Sequence, residues 1–293
     1  MRNLRKSGAV GWGFVLPSFL FVAAFSALPI LGGAYYSFTR FNGFNAPEWI
    51  GLENYAALPR DGDFLRALQN TGIFALVIVP CEIVLALAIA AVLAEKYQNA
   101  FGRFVRGALF VPVLCSSALA GNIFYYVFSA DGGSLANTVL SWFGAARVNW
   151  LGSRGTALGV ICFVNIWKNF GYYLVILYAG IMDVPRVLYE AAEIDGASKT
   201  QQFFHVTLPS LKSVVYIVVT LCTIASFQVF DIAYVMTGGG PGNGTTSLVL
   251  EIYSKAFKGY RFGYASAIGM VLFLLVIAVT LAQRKFFRER AEE

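Results

Sequence analysis

Six long apolar stretches constrain this chain more than any other feature of its sequence. A helix needs about 20 apolar residues to cross the hydrocarbon core of a bilayer, and each stretch is long enough to do so. The stretches lie at approximately residues 11–36, 71–94, 107–128, 156–181, 213–235 and 262–283. They predict an all-α integral membrane protein with six transmembrane helices, built as a single transmembrane domain over residues 1–293.

The composition excludes the other common classes of protein. Charged residues make up 13% of the chain and hydrophobic residues 58%, whereas an ordinary soluble domain carries about 25% charged residues. A disordered chain, an ordinary soluble enzyme and a disulfide-built secreted domain are therefore excluded. The first stretch also exceeds the apolar core of a signal peptide, which spans about 7–15 residues, so we predict that it is retained as a helix.

The distribution of basic residues predicts the orientation of the spans. Lys and Arg are enriched in cytoplasmic loops of membrane proteins. With the N-terminus inside, the cytoplasmic segments carry 13 of the 22 basic residues, the external segments carry 8, and Lys168 lies within a span. Both termini and the loop at 183–209 are therefore predicted to be cytoplasmic. We attribute the net charge of +6 to basic residues that orient the chain in the membrane, and we therefore expect no nucleic-acid partner.

The loop at 183–209 begins with signals for a short exposed helix. Pro185 suits the start of a helix over Arg186–Ile194, and Gly196 can adopt the left-handed conformation that ends one. Such a helix would present an apolar surface for docking, either on a partner or on its own membrane domain. The apolar side chains of this surface are Val187, Leu188, Ala191, Ala192 and Ile194.

The second half of the same loop predicts a second helix. Ser198 followed three residues later by Gln201 is a capping-box pattern, which marks the start of a helix. Pro209 is predicted to end that helix before the fifth span. The loop is thus expected to form a helix, a tight turn and a second helix at the cytoplasmic face.

Polar and ionisable side chains within the spans are functional candidates, because a charge at the bilayer centre costs about 2.5–3.5 kcal/mol on insertion scales. Lys168 in the fourth span and Asp231 in the fifth are accompanied by amide and aromatic side chains, a combination that suits hydrogen bonding to a sugar. The alternative is structural, with Lys168 paired with Glu82 or Asp231 to hold helices together. The candidate substrate-path residues are Asn165, Lys168, Asn169, Gln228, Asp231 and Tyr234.

Candidate motifs for phosphate binding and for zinc binding each lack residues that the site requires. Residues 239–244 have the glycine spacing of a phosphate-binding loop, but Thr245 stands where that loop requires lysine. His205 is the single histidine, which rules out a histidine-rich zinc site. We expect no catalytic residue, no bound metal or cofactor and no enzymatic activity in this chain.

The cytoplasmic loop carries a longer pattern as well. Glu190-Ala191-Ala192 is followed after three residues by Gly196, and after nine more by Val206-x-Leu208-Pro209. This pattern resembles the EAA signature of ATP-binding-cassette importer permeases. Further segments resemble the carbohydrate-uptake branch of that family, the maltose-transporter type. These segments are Gly51-Leu52-Glu53-Asn54-Tyr55, Trp167-Lys168-Asn169-x-Gly171, Phe227-x-x-Phe230-Asp231, Met236-Thr237-Gly238-Gly239-Gly240-Pro241 and Gly263-Tyr264-Ala265-Ser266-Ala267.

The resemblance implies a type I importer transmembrane domain in a bacterial inner membrane, in which the EAA loop forms a coupling helix against a separate ATPase. It implies membrane lipid and protein partners, namely a second homologous permease subunit, two ATP-binding-cassette subunits and an extracytoplasmic solute-binding protein. ATP and Mg²⁺ would be bound by the ATPase subunits. The implied coupling residues are Glu190, Ala191, Ala192, Asp195 and Gly196.

The substrate implied by the resemblance is a sugar or an oligosaccharide. Related permeases handle glycerol phosphate esters with the same machinery, and that alternative stays open. A stand-alone secondary transporter or channel would explain six spans and buried charges, but it would not explain the EAA spacing. An intramembrane enzyme is disfavoured because no nucleophile–base pair or metal-ligand set stands out.

Overall fold

The computed structural model describes residues 2–131 and 133–292, with side chains from 12 to 131 and from 133 to 287. Helices make up nearly all of its regular structure. The first seven are α1 (Arg2–Val22), α2 (Leu28–Ser37), α3 (Glu53–Ala57), α4 (Gly62–Lys96), α5 (Ala100–Leu114), α6 (Ser117–Val127) and α7 (Leu135–Trp142). The remaining ones are α8 (Arg154–Met182), α9 (Arg186–Ile194), α10 (Lys199–Gln202), α11 (Leu208–Ser210), α12 (Lys212–Phe227), α13 (Asp231–Thr237), α14 (Leu248–Tyr253) and α15 (Phe262–Glu292).

The long apolar helices confirm the all-α, six-span prediction. Five helical segments of the described chain are long and apolar enough to cross a membrane, and α5 with α6 forms a sixth candidate that is bent by 96°. The five are Trp12–Ser37, Gly62–Lys96, Arg154–Met182, Lys212–Thr237 and Phe262–Phe287.

The third span is broken, so the prediction of one helix over 107–128 was wrong. Helix α5 starts earlier than predicted and ends at Leu114, after Pro112 has removed one backbone donor from its last turn. Ser116 then adopts an extended backbone, and its hydroxyl accepts a hydrogen bond from the Leu119 N–H at 3.2 Å. This cap starts α6 in a new direction.

The fifth span is also interrupted, within the predicted range 213–235. Helix α12 ends at Phe227, and α13 begins at Asp231. Phe230 between them has φ −137° and ψ −68°, outside the helical region. Asp231 lies in the first turn of α13, where a carboxylate interacts favourably with the positive end of the helix dipole. The break therefore coincides with the candidate residues of this span.

The chain forms two compact units. One comprises Met1–Asp61 and Ile252–Phe273, and the other comprises Gly62–Glu251 and Leu274–Glu293. All the candidate coupling and substrate-path residues belong to the second unit. That the whole chain acts as a single permease domain stays a prediction.

The first unit contains the one piece of sheet in the described residues, which the sequence did not predict. Strands β1 (Thr39–Arg40) and β2 (Glu48–Trp49) pair antiparallel. Asn42 starts the connecting turn, since its side-chain oxygen accepts hydrogen bonds from the Phe44 and Asn45 N–H groups. Asn54 then ties α3 to this segment by donating to the Ser37 and Thr39 carbonyls, both at 2.9 Å.

The core of the second unit is the seam between α4 and α8. Ala86 and Ala90 of α4 are fully buried, and they pack with Leu174 and Leu177 of α8. Small side chains allow two membrane helices to approach closely. Helix α12 joins the same core through residues that include Val218. This core holds α8, which carries substrate-path candidates, and it leads directly into the coupling loop.

Candidate coupling and translocation sites

Helix α9 forms over Arg186–Ile194 as predicted and ends in a Schellman motif. The Gly196 N–H donates to the Glu193 carbonyl at 3.0 Å, and the Ala197 N–H donates to the Ala192 carbonyl at 2.9 Å. Gly196 has a φ of +77°, a left-handed conformation that residues with a Cβ avoid. The role of Gly196 as the helix stop is therefore confirmed.

The capping box of α10 is also present. Ser198 Oγ accepts from the Gln201 N–H at 3.4 Å, and Gln201 Oε1 accepts from the Ser198 N–H at 2.8 Å. The prediction that Leu208-Pro209 ends this helix and leads into the fifth span is confirmed to within one residue. The chain stays helical from α10 through the π-helical segment Phe203–Thr207 to the end of α11 at Ser210, and a turn at Leu211 precedes α12. A single turn residue thus joins the coupling loop to the fifth span.

The outer face of α9 is an exposed apolar stripe. No residue of α9 is buried. Val187 and Ile194 are 63% and 88% exposed, and with Ala191 they recur at i, i+4 and i+7, which places them on one face of a helix. Glu190 and Asp195 are exposed along the two edges of this stripe. The surface is thus shaped like the apolar face of a docking helix.

The inner face of α9 fixes the helix to the rest of the loop. The Tyr189 hydroxyl and the Thr207 hydroxyl form a hydrogen bond at 2.9 Å. Ala192 is half-buried and lines a small cavity with His205 and Val206. The predicted coupling residues therefore divide into two groups, since Ala191 faces outward and Ala192 faces the chain's own second helix.

An ion pair closes the turn between α9 and α10. The Lys199 ammonium contacts the Glu193 carboxylate, and both side chains are more than half exposed. The hydrogen bond from Lys199 lowers the pKa of Glu193, and the same bond raises the pKa of Lys199. Because the pair is solvated and screened by salt, it is expected to contribute little.

The first group of substrate-path candidates lies on successive turns of α8. Asn165 is 8% and Lys168 is 9% exposed, and Asn169 is half-buried. The Asn165 side-chain nitrogen donates to the Ile161 carbonyl of its own helix at 2.8 Å. Lys168 is thus nearly buried within the unit, as is Asn165 one turn before it.

The structural alternative for Lys168 is not formed. Among the described residues Lys168 makes an ion pair with neither Glu82 nor Asp231. Glu82 is 2% exposed, and its Oε2 accepts a hydrogen bond from Cys222 Sγ at 2.9 Å. Glu82 therefore links α4 to α12 without a cation.

The second group of candidates lies at the break between α12 and α13. Gln228 is the C-terminal cap of α12, and Asp231 opens α13. Tyr234 follows one turn later, with its ring stacked on Phe230 at 5.5 Å between centroids. All three candidates are exposed on this unit. Helix α13 packs against α8, so the two groups lie on neighbouring helices.

Sequence reasoning missed a hydrogen-bonded clamp at the other end of α8. Asn70 of α4 is fully buried; its side-chain nitrogen donates to the Thr246 carbonyl at 3.0 Å, and its side-chain oxygen accepts from Arg154 at 2.9 Å. Arg66 also donates to the 238–247 loop, at 3.0 Å. The glycine-rich segment is thus part of a loop that is hydrogen-bonded to α4, and Asn70 links this loop to Arg154 of α8.

The fold is shared with a solved importer. The chain superposes with a TM-score of 0.82 on a chain of a bacterial ABC transporter involved in the import of the acidic polysaccharide alginate. The alignment covers 99% of each chain at 24% sequence identity. This likeness shows the fold.

Three relatives align with the chain over nearly its whole length. The chain is 35% identical to the probable ABC transporter permease protein YurN of Bacillus subtilis (strain 168), over 96% of each chain. It is 35% identical to the trehalose/maltose transport system permease protein MalF of Thermococcus litoralis, over 98% of this chain and 96% of that one. It is 33% identical to the multiple sugar-binding transport system permease protein MsmF of Streptococcus mutans serotype c, over 95% of each.

The family assignment rests on the same region that carries both sites. Residues 82–291 match the family described as "Binding-protein-dependent transport system inner membrane component". This range contains the coupling loop and all the substrate-path candidates. The chain belongs to this family of inner-membrane transport components.

Proposed function

We propose that this chain is a translocation subunit of an ATP-driven importer for oligosaccharides, and that α9 is its contact with the ATPase. The observation that carries the proposal is the exposed stripe of Val187, Ala191 and Ile194 on a helix with no buried residue. Helices of this kind bind by laying the stripe into an apolar groove. The partner would be an ATP-binding-cassette subunit, which holds ATP and Mg²⁺.

The residues of the loop would have two different roles in coupling, contact with the ATPase and positioning of α9. Glu190 and Asp195 would offer charge-assisted hydrogen bonds at the edges of the groove, and Ala191 would allow close approach. Ala192 and Gly196 would set the position of α9 relative to α10. Since only the turn residue Leu211 separates the helical segment that starts at α10 from α12, a displacement of α9 would pass to the fifth span and to its break at Phe230.

The charge balance of the candidate path favours a neutral sugar. The six residues carry one cation, Lys168, and one anion, Asp231, with three amides and one tyrosine. Amides and aromatic faces suit the hydroxyl groups and apolar faces of sugars. A glycerol phosphate ester would bring its negative charge close to Asp231, with only Lys168 in this set to offset it. Two of the named relatives, MalF and MsmF, are named as permeases of sugar transport systems, which supports a sugar over a phosphate ester.

The complete importer would contain a second homologous permease, two ATPase subunits and an external solute-binding protein. The chain would sit in a bacterial inner membrane with both termini and α9 in the cytoplasm, as the bias of 13 to 8 basic residues predicts. Arg66, Arg154 and the 238–247 loop would then face the solute-binding protein side.

Reconstitution tests the proposal. Proteoliposomes with all subunits and the solute-binding protein should import oligosaccharide only when ATP is inside, and the purified chain alone should hydrolyse no ATP. Uptake driven by an ion or substrate gradient through the chain alone would overturn the proposal in favour of a secondary transporter. Preferred uptake of a glycerol phosphate ester over every sugar would overturn the substrate class alone.

A further inference from the structure

Helix α7 carries an exposed apolar face. Successive residues of a helix are about 100° apart, so Leu135, Val139 and Trp142 fall within about 60° of one another, and Phe143 at the C-cap extends the face. These four side chains, which we name the α7 patch, are 60%, 37%, 73% and 83% exposed. Ser141 and Thr138 flank the patch on one side.

The opposite side of α7 is anchored by one buried polar side chain. Asn137 lies about 180° from the centre of the patch and is 2% exposed. Its side-chain nitrogen donates to the Ser129 and Val148 carbonyls, and its side-chain oxygen accepts from the Val148 N–H and from Trp150 Nε1, at distances of 3.0–3.4 Å. Helix α7 cannot roll to bury the patch without breaking these bonds.

A helix on a water-facing surface turns its apolar face inward and its polar face outward, whereas α7 buries the amide of Asn137 and exposes the α7 patch. A helix with its polar side anchored and its apolar side exposed requires an apolar phase or a permanent partner outside it. A solute-binding protein that binds transiently would leave Trp142 and Phe143 exposed to water for part of each transport cycle.

The surroundings of α7 favour lipid as the apolar phase. The Trp150 ring that bonds Asn137 packs on Phe128 at 5.6 Å, and Phe128 packs on Phe163 at 6.0 Å. Phe163 is 49% exposed on α8, a membrane-spanning helix. Phe128 is the C-terminal cap of α6, so Trp150 and Asn137 tie α7 to the end of the third span, and the ends of spans are where tryptophan is enriched in membrane proteins.

We propose that the α7 patch lies in the outer lipid–water interface and anchors the external ends of α6 and α8 to the bilayer. Trp142 and Phe143 would enter the boundary between headgroups and acyl chains, as in interfacial amphipathic helices. Arg147, which is exposed just after the helix, would lie within reach of lipid phosphates. The proposal uses membrane insertion and the predicted orientation of the chain, and it is independent of the substrate and of the ATPase contact.

Spin labels on the complete importer in lipid nanodiscs test the proposal. Cys81 and Cys115 would be changed to Ala, leaving the buried Cys162 and Cys222. Trp142→Cys is then labelled in one variant, with Ser141→Cys as the matched control on the polar flank. We expect the label at 142 to collide several-fold more often with oxygen than with a water-soluble nickel chelate, and the label at 141 to show the reverse. Nickel access at 142 would indicate an aqueous face, and exclusion of both reagents would indicate a protein partner; either result overturns the proposal.

A second measurement uses no label. The fluorescence difference between the wild type and Trp142→Phe isolates Trp142 from the other four tryptophans. Lipids brominated in the acyl chain should quench this difference signal more than twofold relative to unbrominated lipid. An unchanged signal, with subunit assembly intact by gel filtration, would overturn the proposal.

Discussion

Replacing Gly196 by alanine should uncouple ATP hydrolysis from transport. Gly196 closes the Schellman motif of α9 with φ +77°. A Cβ at this position meets no atom outside its neighbours within 4 Å, so the substitution adds backbone strain without a steric clash. The effect should therefore come from the conformation of the turn and from nothing else.

The magnitude follows from that strain. A left-handed conformation costs a residue with a Cβ about 1–2 kcal/mol, which changes a conformational ratio by roughly 5–30-fold. If the turn relaxes instead, it loses the hydrogen bonds from the Gly196 and Ala197 N–H groups, and α9 swings relative to α10. Either route reduces the population in which the apolar stripe is correctly presented.

The assay is sugar uptake per ATP hydrolysed in proteoliposomes at matched protein level. Gly196→Asn should retain most of the coupling, since asparagine tolerates the left-handed region. Gly144→Ala is the matched control, because Gly144 has φ +71° and closes the same motif at the C-terminus of α7. Uptake per ATP equal to wild type in Gly196→Ala would refute the reasoning, and equal losses in both alanine variants would show a general effect of strain.

Three further predictions follow from the two sites. Glu190→Ala should lower coupled uptake more than Glu193→Ala, because Glu190 borders the docking stripe while Glu193 bonds only within its own loop; equal effects in uptake assays would contradict the division of faces. The Glu193–Lys199 pair should not make coupling pH-dependent near neutrality. Glu193 has a lowered pKa, so it stays ionised until the pH falls through that pKa. Lys199 has a raised pKa, so it stays protonated until the pH rises through that pKa. Coupling in the wild type and in Lys199→Gln, measured across neutral pH, should therefore run in parallel. Asn169→Ala and Gln228→Ala should weaken sugar uptake while leaving assembly and basal ATPase activity intact, because each removes a hydrogen-bonding amide without orphaning a charge; normal uptake in both would move the sugar contacts to the partner permease.

The coupling loop was predictable because its signals are local. Gly196 as a helix stop and the Ser198–Gln201 box each depend on residues within four positions, and both are formed. The end of the second helix next to Pro209 was predictable for the same reason, since proline removes a backbone donor at that point. The π-helical form of Phe203–Thr207 was not predicted.

The breaks and the long-range contacts were not predictable from apolar runs. Hydropathy does not reveal that Ser116 caps a new helix or that Phe230 leaves the helical region. The Asn70–Thr246 hydrogen bond joins residues 176 positions apart, and no local sequence pattern predicts it. The pairing of Glu82 with Cys222 instead of Lys168 likewise depends on how α4, α8 and α12 rotate against one another.

Site-specific photo-crosslinking tests the central claim, the contact of α9 with the ATPase, most directly. A benzophenone amino acid would replace Ile194, which is 88% exposed, in the fully reconstituted importer, and Trp142 in a control. The account predicts an adduct between position 194 and an ATPase subunit, and no ATPase adduct from position 142. Absence of the adduct at 194 in an importer that still transports, or an adduct there with the solute-binding protein, would contradict it.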